Sequence, residues 1–306
     1  MTPVGRVWAV LTTVAALVAA GCAGPSGPAD PAACPNGGTV RMGMQPFLAA
    51  TKLTPSYDAL GVALSKALGC TVDISVTTDY AAATEAMRAG RLELAEFPPF
   101  GYVLAKDRAD LVPFAAFGAT DGTITTAVAG IAVLSSSPVT DLAGLRGRSI
   151  AYSAPTATSG HLLPAFGLAQ AGLDPNTDVK AVYLGTHTAA YRSLLDGKVD
   201  AAELNTTQIA AAKKAGQYDP SPIRMLWTSE PSPSDPIVLR GDLTPEFQQR
   251  LRSAVLGLDF ATLPADARDF FASTVAAQRF VPADDSTYAG VRQIVSTLHL
   301  TASSVG

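Results

Sequence analysis

Short apolar runs alternate along the chain with longer segments whose apolar residues recur every three or four positions. In the first part of the chain, the short runs predict β-strands at 39–44, 71–76, 92–97 and 111–117. The longer segments predict helices at 57–68 and 79–89, each followed by a glycine. A β-α-β-α order of this kind indicates a sheet of parallel strands with helices on both faces.

A second series of the same kind starts near Ala127. Its predicted strands lie at 129–134, 149–152, 179–184 and 199–204, and its predicted helices lie at 160–171 and 188–195. The segment 227–236 is rich in Ser and Pro, which is typical of a crossing between two lobes. A strand at 237–240 and helices at 244–256 and 264–273 then complete the predicted elements.

The order of these elements predicts an α/β fold with two lobes, each a mainly parallel sheet flanked by helices. We expect the first part of lobe 1 at 36–126, lobe 2 at 127–235, and a return to lobe 1 at 236–306. Because the chain leaves lobe 1 and comes back, a cleft forms where the carboxyl ends of the strands face each other. Ligands of such sheets bind at that position.

The first 22 residues have the pattern of an export signal. They contain Arg6, an apolar run that is short for a bilayer span, and the sequence Ala-Ala-Gly-Cys, which ends at Cys22 and resembles a bacterial lipobox. We therefore expect a signal peptide at 1–21, a lipid on Cys22, and a flexible tether over 22–35. Ordinary secretory cleavage near Ala20 is the alternative. With lipidation, the protein would be extracytoplasmic and anchored to the cell membrane by lipid.

Two further cysteines, Cys34 and Cys70, each precede a predicted strand. If those two strands are parallel neighbours, both cysteines lie at the same end of the sheet, within bridging distance. An even pair of cysteines in an oxidising compartment is more often a disulfide than a metal site. The sequence therefore predicts a Cys34–Cys70 disulfide.

The composition excludes several classes of function. The chain has 306 residues, 48% of them hydrophobic and 16% charged, with a formal net charge of −4 and no basic stripe, so we expect no nucleic-acid partner. It has three histidines, no thiol left over if the disulfide forms, no Gly-x-Ser-x-Gly elbow, and no spacing suited to metal ligands. We therefore expect a monomer that binds a small molecule, with no enzymatic activity, cofactor or metal.

The most informative stretch is 151–164, where a predicted strand ends in a run of hydroxyl residues and a helix begins at about Gly160. Free backbone N–H groups at a helix start, with the hydroxyls of Thr158 and Ser159 beside them, form a socket for an anion. Ordinary helix capping by Ser or Thr is the alternative explanation, and the spacing does not choose between the two.

A set of short motifs occurs in the order and spacing of one known family. The motifs are Thr-Thr-Asp-Tyr at 77–80, Pro138 with 141–147, Thr-Ser-Gly at 158–160 ending in Pro164, Gly-Thr-His at 185–187, and Gly-Lys-Val-Asp at 197–200. In this respect the chain resembles the binding proteins of phosphate, phosphite and phosphonate ABC transporters, over most of residues 38–262. The resemblance implies a type II periplasmic-binding-protein fold, a two-segment hinge, closure around one small ligand, and permease and ATPase partners.

The resemblance also implies roles for individual residues. Tyr80 corresponds to a tyrosine that would donate its hydroxyl to an oxyanion, Thr158, Ser159 and the Gly160 amide correspond to the turn that holds the oxyanion, and His187 corresponds to a histidine that opens a helix of lobe 2. The other candidate ligand-binding residues are Gln45, Phe97, Tyr102, Thr156 and Asn205.

The chain departs from the family pattern at several positions. Ala157 stands where the family turn often has a serine, and Thr188 stands where an acidic residue often meets a ligand amine. An aromatic loop around Phe97, Phe100 and Tyr102 replaces a small, glycine-rich one. Two alternatives follow. The same fold could bind an aromatic or nitrogenous nutrient, which an inward-facing Glu96 or Glu203 would favour. Alternatively, the protein could be a surface lipoprotein that acts through a protein partner and transports nothing.

Overall fold

The computed structural model describes residues 33–106, 108–301 and 303. The expected signal peptide, the lipidation site Cys22 and all but the end of the expected tether lie outside the described residues. Among the helices that are described, none is long and apolar enough to span a membrane.

The elements follow one another in mixed α/β order. The strands are β1 (Thr39–Met44), β2 (Thr71–Val76), β3 (Leu94–Glu96), β4 (Leu111–Gly118), β5 (Thr126–Ala127), β6 (Ala129–Leu134), β7 (Ser149–Tyr152), β8 (Lys180–Tyr183), β9 (Ala201–Asn205), β10 (Ile223–Thr228), β11 (Ser232–Pro233), β12 (Pro236–Arg240) and β13 (Arg279–Pro282). The α-helices are α1 (Ala50–Leu68), α2 (Tyr80–Arg88), α3 (Pro99–Lys106), α4 (Leu163–Gln170), α5 (His187–Leu195), α6 (Thr206–Lys214), α7 (Pro245–Leu256), α8 (Ala265–Thr274) and α9 (Ala289–Thr297).

Two main sheets organise these elements. The first has the strand order β13-β4-β12-β3-β1-β2 and the second has the order β10-β6-β9-β7-β8; we call the parts of the chain that build them lobe 1 and lobe 2. In lobe 1, β1 pairs in parallel with β2 and β3, while β12 and β13 pair antiparallel with their neighbours. In lobe 2, β7 pairs in parallel with β8 and β9, while β6 runs antiparallel to β9 and β10.

The chain crosses between the lobes twice. It leaves lobe 1 after β4 and returns through β12, and the short strands β5 and β11 pair antiparallel where the two crossings run side by side. This pairing sits at the base of the cleft, so the two crossings form one two-stranded connection.

Local sequence explains where several helices begin. Asp79, Thr186 and Asn205 each accept a backbone N–H with the side chain at the start of α2, α5 and α6. At the other end of α1, Gly69 adopts a left-handed φ of 72° and closes the helix with its amide, a conformation that costs other residues more than glycine.

Three expected elements differ from the structure. Helix α1 begins at Ala50 and continues through Pro55, because Leu53 and Tyr57 bury their side chains in the lobe 1 core on the same helix. Trp227 lies in strand β10 and not in a crossing, since β10 pairs with β6 along most of its length. The helix expected from 160 begins earlier, with a π-helical turn at Thr158–Leu162 that leads into α4.

Each lobe has its own apolar core. In lobe 1, α1, α7 and α8 pack on the sheet, and the rings of Phe117, Phe260, Phe271 and Phe280 contact one another at its centre. In lobe 2, two clusters cover the two faces of the sheet, one around Tyr152 and Leu168 and the other around Leu194 and Leu204. Burial of this apolar surface is the main driving force for the fold.

A disulfide joins Cys34 to Cys70, with Cα atoms 5.8 Å apart. The register of β1 and β2 explains the pairing, because Thr39 lies opposite Thr71 and both cysteines precede these residues at the same end of the sheet. The bridge therefore ties the start of the described chain to the edge strand β2.

Candidate functional site

A small cavity lies between the two lobes, at the ends of the strands and beside the crossings. Its volume of about 80 Å³ has room for roughly five to eight water-sized spheres, which suits a ligand of few non-hydrogen atoms. The polar residues that line it are Gln45, Tyr80, Glu96, Thr125, Thr126, Thr158, Ser159, His187, Asn205, Thr207, Ser232, Ser234 and Asp235.

Five helices direct their N-termini at this cavity. The first or second residue of α2, α3, the π-turn, α5 and α6 lines it, namely Tyr80, Pro99, Thr158, His187 and Thr207. A helix N-terminus carries unpaired N–H groups and a partial positive charge, so several of them together stabilise an anion. No Lys or Arg occurs among the described residues that line the cavity. An anion here would therefore be stabilised by backbone dipoles and not by a lining Lys or Arg.

The turn that begins the π-helix forms one side of the cavity. Its first helical hydrogen bond runs from the Leu162 amide to the Ala157 carbonyl, over 3.0 Å, so the amides of Thr158, Ser159 and Gly160 precede the ladder. A Cβ on Gly160 would overlap Oγ of Ser153 and lie 2.9 Å from Cε1 of His187, so only glycine fits there. Gly160 itself does not line the cavity.

Thr158 connects the two lobes. Its Oγ1 accepts a hydrogen bond from the backbone N–H of Phe100, at 2.8 Å, across the cleft between the π-turn of lobe 2 and α3 of lobe 1. Beside it, Phe100 packs against Leu162, Val291 and Val295. The lobes are thus in contact, and the hydroxyl hydrogen of Thr158 remains available to an acceptor in the cavity.

Tyr80 supplies a second hydroxyl. The side chain is 6% exposed, and its Oη has no hydrogen-bond partner among the described residues. Burial, and then the nearby carboxyl groups of Asp235 and Glu203, raise the pKa of Tyr80 well above its usual value. The phenol therefore stays protonated and can donate to a ligand.

The His187 ring contacts two buried residues of lobe 2 through its Nδ1 atom. Its Nδ1 lies 2.7 Å from Oε1 of the fully buried Glu203 and 2.9 Å from Nδ2 of Asn205. These two contacts, one to a carboxyl oxygen and one to an amide nitrogen, hold the ring in one orientation. Asn205 also accepts the Gln208 amide with its Oδ1, at 2.8 Å, and so caps α6 while lining the cavity.

Two carboxyl groups of lobe 1 face the other side of the cavity. Oε2 of Glu96 accepts the hydroxyl of Tyr57 at 2.9 Å, and Oδ2 of Asp235 accepts Nε2 of Gln45. Burial raises the pKa of Glu96 to about 7, and burial together with the Glu96 charge raises the pKa of Asp235 well above its usual range. Both groups therefore keep their protons to a higher pH than exposed carboxyl groups do.

Several expected site residues lie elsewhere. Phe97 and Tyr102 are 1% and 0% exposed, belong to the lobe 1 core, and do not line the cavity, so the expected aromatic wall is wrong. Side chains alternate in direction along an extended chain. Glu96, the last residue of β3, faces the cavity, and Phe97, the residue after it, faces the core. Tyr102 donates its hydroxyl to Asp285 at 2.6 Å. Thr156 also does not line the cavity, although Gln45, Tyr80, Ser159, His187 and Asn205 do.

The sequence analysis missed Asp235 and the residues of the two crossings. Asp235 lies near the end of the Ser- and Pro-rich segment 227–236, and the return crossing between the lobes brings it to the cavity. Among the described residues, no group of three or more His, Cys, Asp or Glu side chains is arranged to hold a metal ion.

Comparison with known proteins extends this description. Residues 42–288 match the family described as the periplasmic substrate-binding protein of phosphonate ABC transporters. The chain is 26% identical over 272 residues to the phosphate-import protein PhnD of Mycolicibacterium smegmatis, covering 84% of each chain. It superposes with a TM-score of 0.74 on PhnD1 of Prochlorococcus marinus in complex with methylphosphonate, at 22% identity, covering 86% of this chain and 99% of that one.

A further structure has the same arrangement. The binding protein component of an ABC phosphonate transporter from Pseudomonas aeruginosa superposes with a TM-score of 0.75 at 20% identity, covering 85% of this chain and 86% of that one. The fold is therefore that of type II periplasmic-binding proteins, as expected. The chain belongs to the family of phosphonate ABC-transporter substrate-binding proteins. It is an extracytoplasmic component that binds a small molecule for an ABC transporter, and its relatives are transport proteins.

Proposed function

We propose that this protein captures a small phosphorus oxyanion, such as a phosphonate, phosphite or phosphate, in the cavity between its lobes. The convergence of five helix N-termini on a cavity of about 80 Å³ carries this proposal. The hydroxyls of Tyr80, Thr158 and Ser159 add donors, and hydrogen bonds from neutral donors and helix dipoles can balance an anion without a side-chain cation.

The capture step depends on closure. The bond from Phe100 to Thr158 and the apolar contact around Leu162 join the lobes directly over the cavity. In an open form these contacts would be lost, and a ligand that touches both lobes would favour the closed form by its differential affinity. The paired strands β5 and β11 would act as the hinge, and the closed surface would be presented to the permease.

Two further features complete this proposal. Lipid on Cys22 would hold the protein at the outer face of the cell membrane, with the segment up to the Cys34 disulfide as its tether. We also propose that it acts as a monomer and has no enzymatic activity, since binding and release of an unaltered ligand is all that delivery to a transporter requires.

A second candidate ligand is a nitrogenous cation. The observation in its favour is the pair of carboxyl groups of Glu96 and Asp235, which face the cavity with no Lys or Arg among the described lining residues. An ammonium group would neutralise this pair, whereas the helix N-termini would oppose it.

Isothermal titration calorimetry of the purified protein with methylphosphonate, phosphite, phosphate and choline tests both candidates. A ligand present at 100 times its dissociation constant should also stabilise the folded protein by about 2.7 kcal/mol. We expect a phosphorus oxyanion to bind and the double variant Thr158→Ala, Ser159→Ala to abolish binding. The matched control is Ser273→Ala with Thr297→Ala, which removes two exposed hydroxyls that do not line the cavity. Binding of choline alone would contradict the proposal.

A further inference from the structure

A second, larger concavity lies between the lobes, apart from the candidate site. We call it the outer groove; α1 and α8 of lobe 1 line one side of it, and α5 and α6 of lobe 2 line the other. Its volume is about 390 Å³, against about 80 Å³ for the cavity of the candidate site. A volume of several hundred Å³ is typical of pockets that bind organic molecules.

Much of the lining of the outer groove is apolar. Leu195 of α5 is 37% exposed there, although large apolar side chains are usually covered. Phe270 of α8 and Ala211 of α6 also line the groove, and both pack against the lobe 1 core from its edge. Apolar surface that lies open in a concavity is stabilised when an apolar group covers it. The groove therefore favours a ligand with an apolar body.

The charged residues of the outer groove are all basic. Lys52 of α1, Arg192 of α5 and Lys214 of α6 line it, and no Asp or Glu does so among the described residues, although the chain has a net charge of −4. All three side chains are exposed, and none forms a salt bridge with a described residue. Unpaired charges of one sign around a concavity attract the opposite charge. An anion in the groove would be attracted by both lobes.

A buried hydrogen-bond acceptor also belongs to the outer groove. Gln208 of α6 lines the groove and is 3% exposed. Its Nε2 donates to the backbone carbonyl of His187 at 2.7 Å, but its Oε1 has no hydrogen-bond partner among the described residues. A buried amide oxygen without a partner costs free energy, and a donor on a ligand would offset that cost.

We propose that the outer groove is a second binding site, which takes an organic anion with an apolar body and a hydrogen-bond donor. The apolar lining would cover the body, the three cations would attract the negative charge, and Oε1 of Gln208 would accept the donor. The inference does not rest on the proposed function, because the groove and the candidate site have no lining residue in common.

Anilinonaphthalenesulfonate is the probe that tests the inference, because it combines aromatic rings, a sulfonate and an N–H donor. Phenylnaphthylamine has the same rings and N–H without the sulfonate, so the two probes differ in charge. Fluorescence titration of the purified protein measures both dissociation constants, and calorimetry measures the stoichiometry. We expect one sulfonate to bind per protein, and the neutral probe to bind at least tenfold more weakly.

Equal affinity for the two probes, or binding of the sulfonate without a defined stoichiometry, would overturn the inference. So would the absence of binding, which would leave an acidic protein surface as the alternative occupant of the groove.

One double variant assigns the charge selection to the outer groove. Lys52→Gln with Arg192→Gln removes one cation of each lobe from it, and we expect the dissociation constant of the sulfonate to rise about tenfold. The matched control, Lys66→Gln with Lys180→Gln, removes one exposed cation of each lobe that does not line the groove, and should leave that constant unchanged. Equal losses in the two double variants would mean a general effect of net charge and would overturn the inference.

A bulky substitution locates the probe. Ala215 is an exposed lining residue at the C-terminal end of α6, so Ala215→Trp should fill part of the groove without disturbing the core, and should abolish binding of the sulfonate. Ala67→Trp, at an exposed position of α1 outside the groove, is the control. Unchanged binding in Ala215→Trp, or displacement of the sulfonate by methylphosphonate, would place the probe elsewhere and overturn the inference. Failure of methylphosphonate itself to bind would count against the proposed function alone.

Discussion

Two buried glutamates, one just before β3 and one at its end, have opposite surroundings. Glu93 and Glu96 are each 1% exposed. Glu93 forms an ion pair with Arg41, at 2.6 Å from Oε1 to Nη2, and lies 3.6 Å from Nη1 of Arg240. Glu96 has no cationic partner among the described residues; it accepts the Tyr57 hydroxyl, and burial raises its pKa.

The difference shows which of the two carboxyl groups serves the fold. Burial favours the neutral form of Glu93, but the hydrogen bonds from Arg41 outweigh it and lower the pKa of this carboxyl. Burial raises the pKa of Glu96 to about 7 without compensation from a cation. A buried carboxyl that is left uncompensated beside a cavity is typical of a functional site, whereas a paired one contributes to stability.

The largest effect should come from removing Arg41, the cation that pairs with Glu93. We expect Arg41→Ala to lower the free energy of unfolding by about 3 kcal/mol, because the buried Glu93 keeps the backbone N–H of residue 41 but has only the more distant Arg240 as a cation. Urea denaturation measures this. The cost should shrink at acidic pH, since the lowered pKa of Glu93 contributes stability that is lost as this carboxyl becomes protonated. A change as small as that of Glu246→Gln, which removes an exposed carboxylate on α7, would mean that the pair is not structural.

Glu96 has no cation beside it, and we expect Glu96→Gln to stabilise the ligand-free protein by about 2 kcal/mol at pH 8. The folded-state pKa of Glu96 lies above its usual value of 4.5, so its protonation stabilises wild type below that pH, and this contribution is lost as pH rises to about 7. Glu96→Gln has no carboxyl group to ionise. The free energy of unfolding of the variant, relative to that of wild type, should therefore increase between pH 4.5 and about 7. Unfolding free energies over that range measure it; an advantage independent of pH would contradict the assignment.

Removing one donor opposite Glu96 should weaken binding without changing the fold. We expect Tyr80→Phe to raise the dissociation constant for methylphosphonate about 30-fold, the equivalent of about 2 kcal/mol, because a hydrogen bond to a charged group is lost. Calorimetry measures this. Tyr183→Phe is the control, since the Tyr183 hydroxyl contacts His161 and does not line the cavity. Equal losses in both variants would indicate a general disturbance of the protein.

The smallest effect should come from adding a donor. Ala157 lines the cavity in an extended conformation at the start of the π-turn, with φ −73° and ψ 134°. We expect Ala157→Ser to tighten binding about fivefold by adding one hydroxyl beside those of Thr158 and Ser159. Ala265→Ser at the start of α8 should have no effect on affinity. A rise in thermal stability with unchanged affinity would show that the new hydroxyl caps the helix instead.

Much of the fold could be predicted from the sequence because its signals are local. The bounds of β1, β2, β6 and β7 follow from short apolar runs, as the structure has them. The position of the two cysteines before β1 and β2 indicated the disulfide, since a parallel pair brings equivalent positions together. Capping residues and glycines likewise marked the ends of several helices. The start of α1 was predicted wrongly. Pro55 suggested that the helix begins after it, but burial of Leu53 and Tyr57 on one helix outweighs the cost of the proline.

The polarity of the cavity was decided by the tertiary structure. The sequence could not determine that Glu96 faces the cavity while Phe97 faces the core, because the phase of side-chain alternation on a three-residue strand is set by what packs on each face. Nor could it bring Asp235 to Gln45, 190 residues away in the chain. That contact depends on the path of the return crossing into the middle of the lobe 1 sheet, where β12 inserts between β3 and β4 and carries its first residues to the cleft.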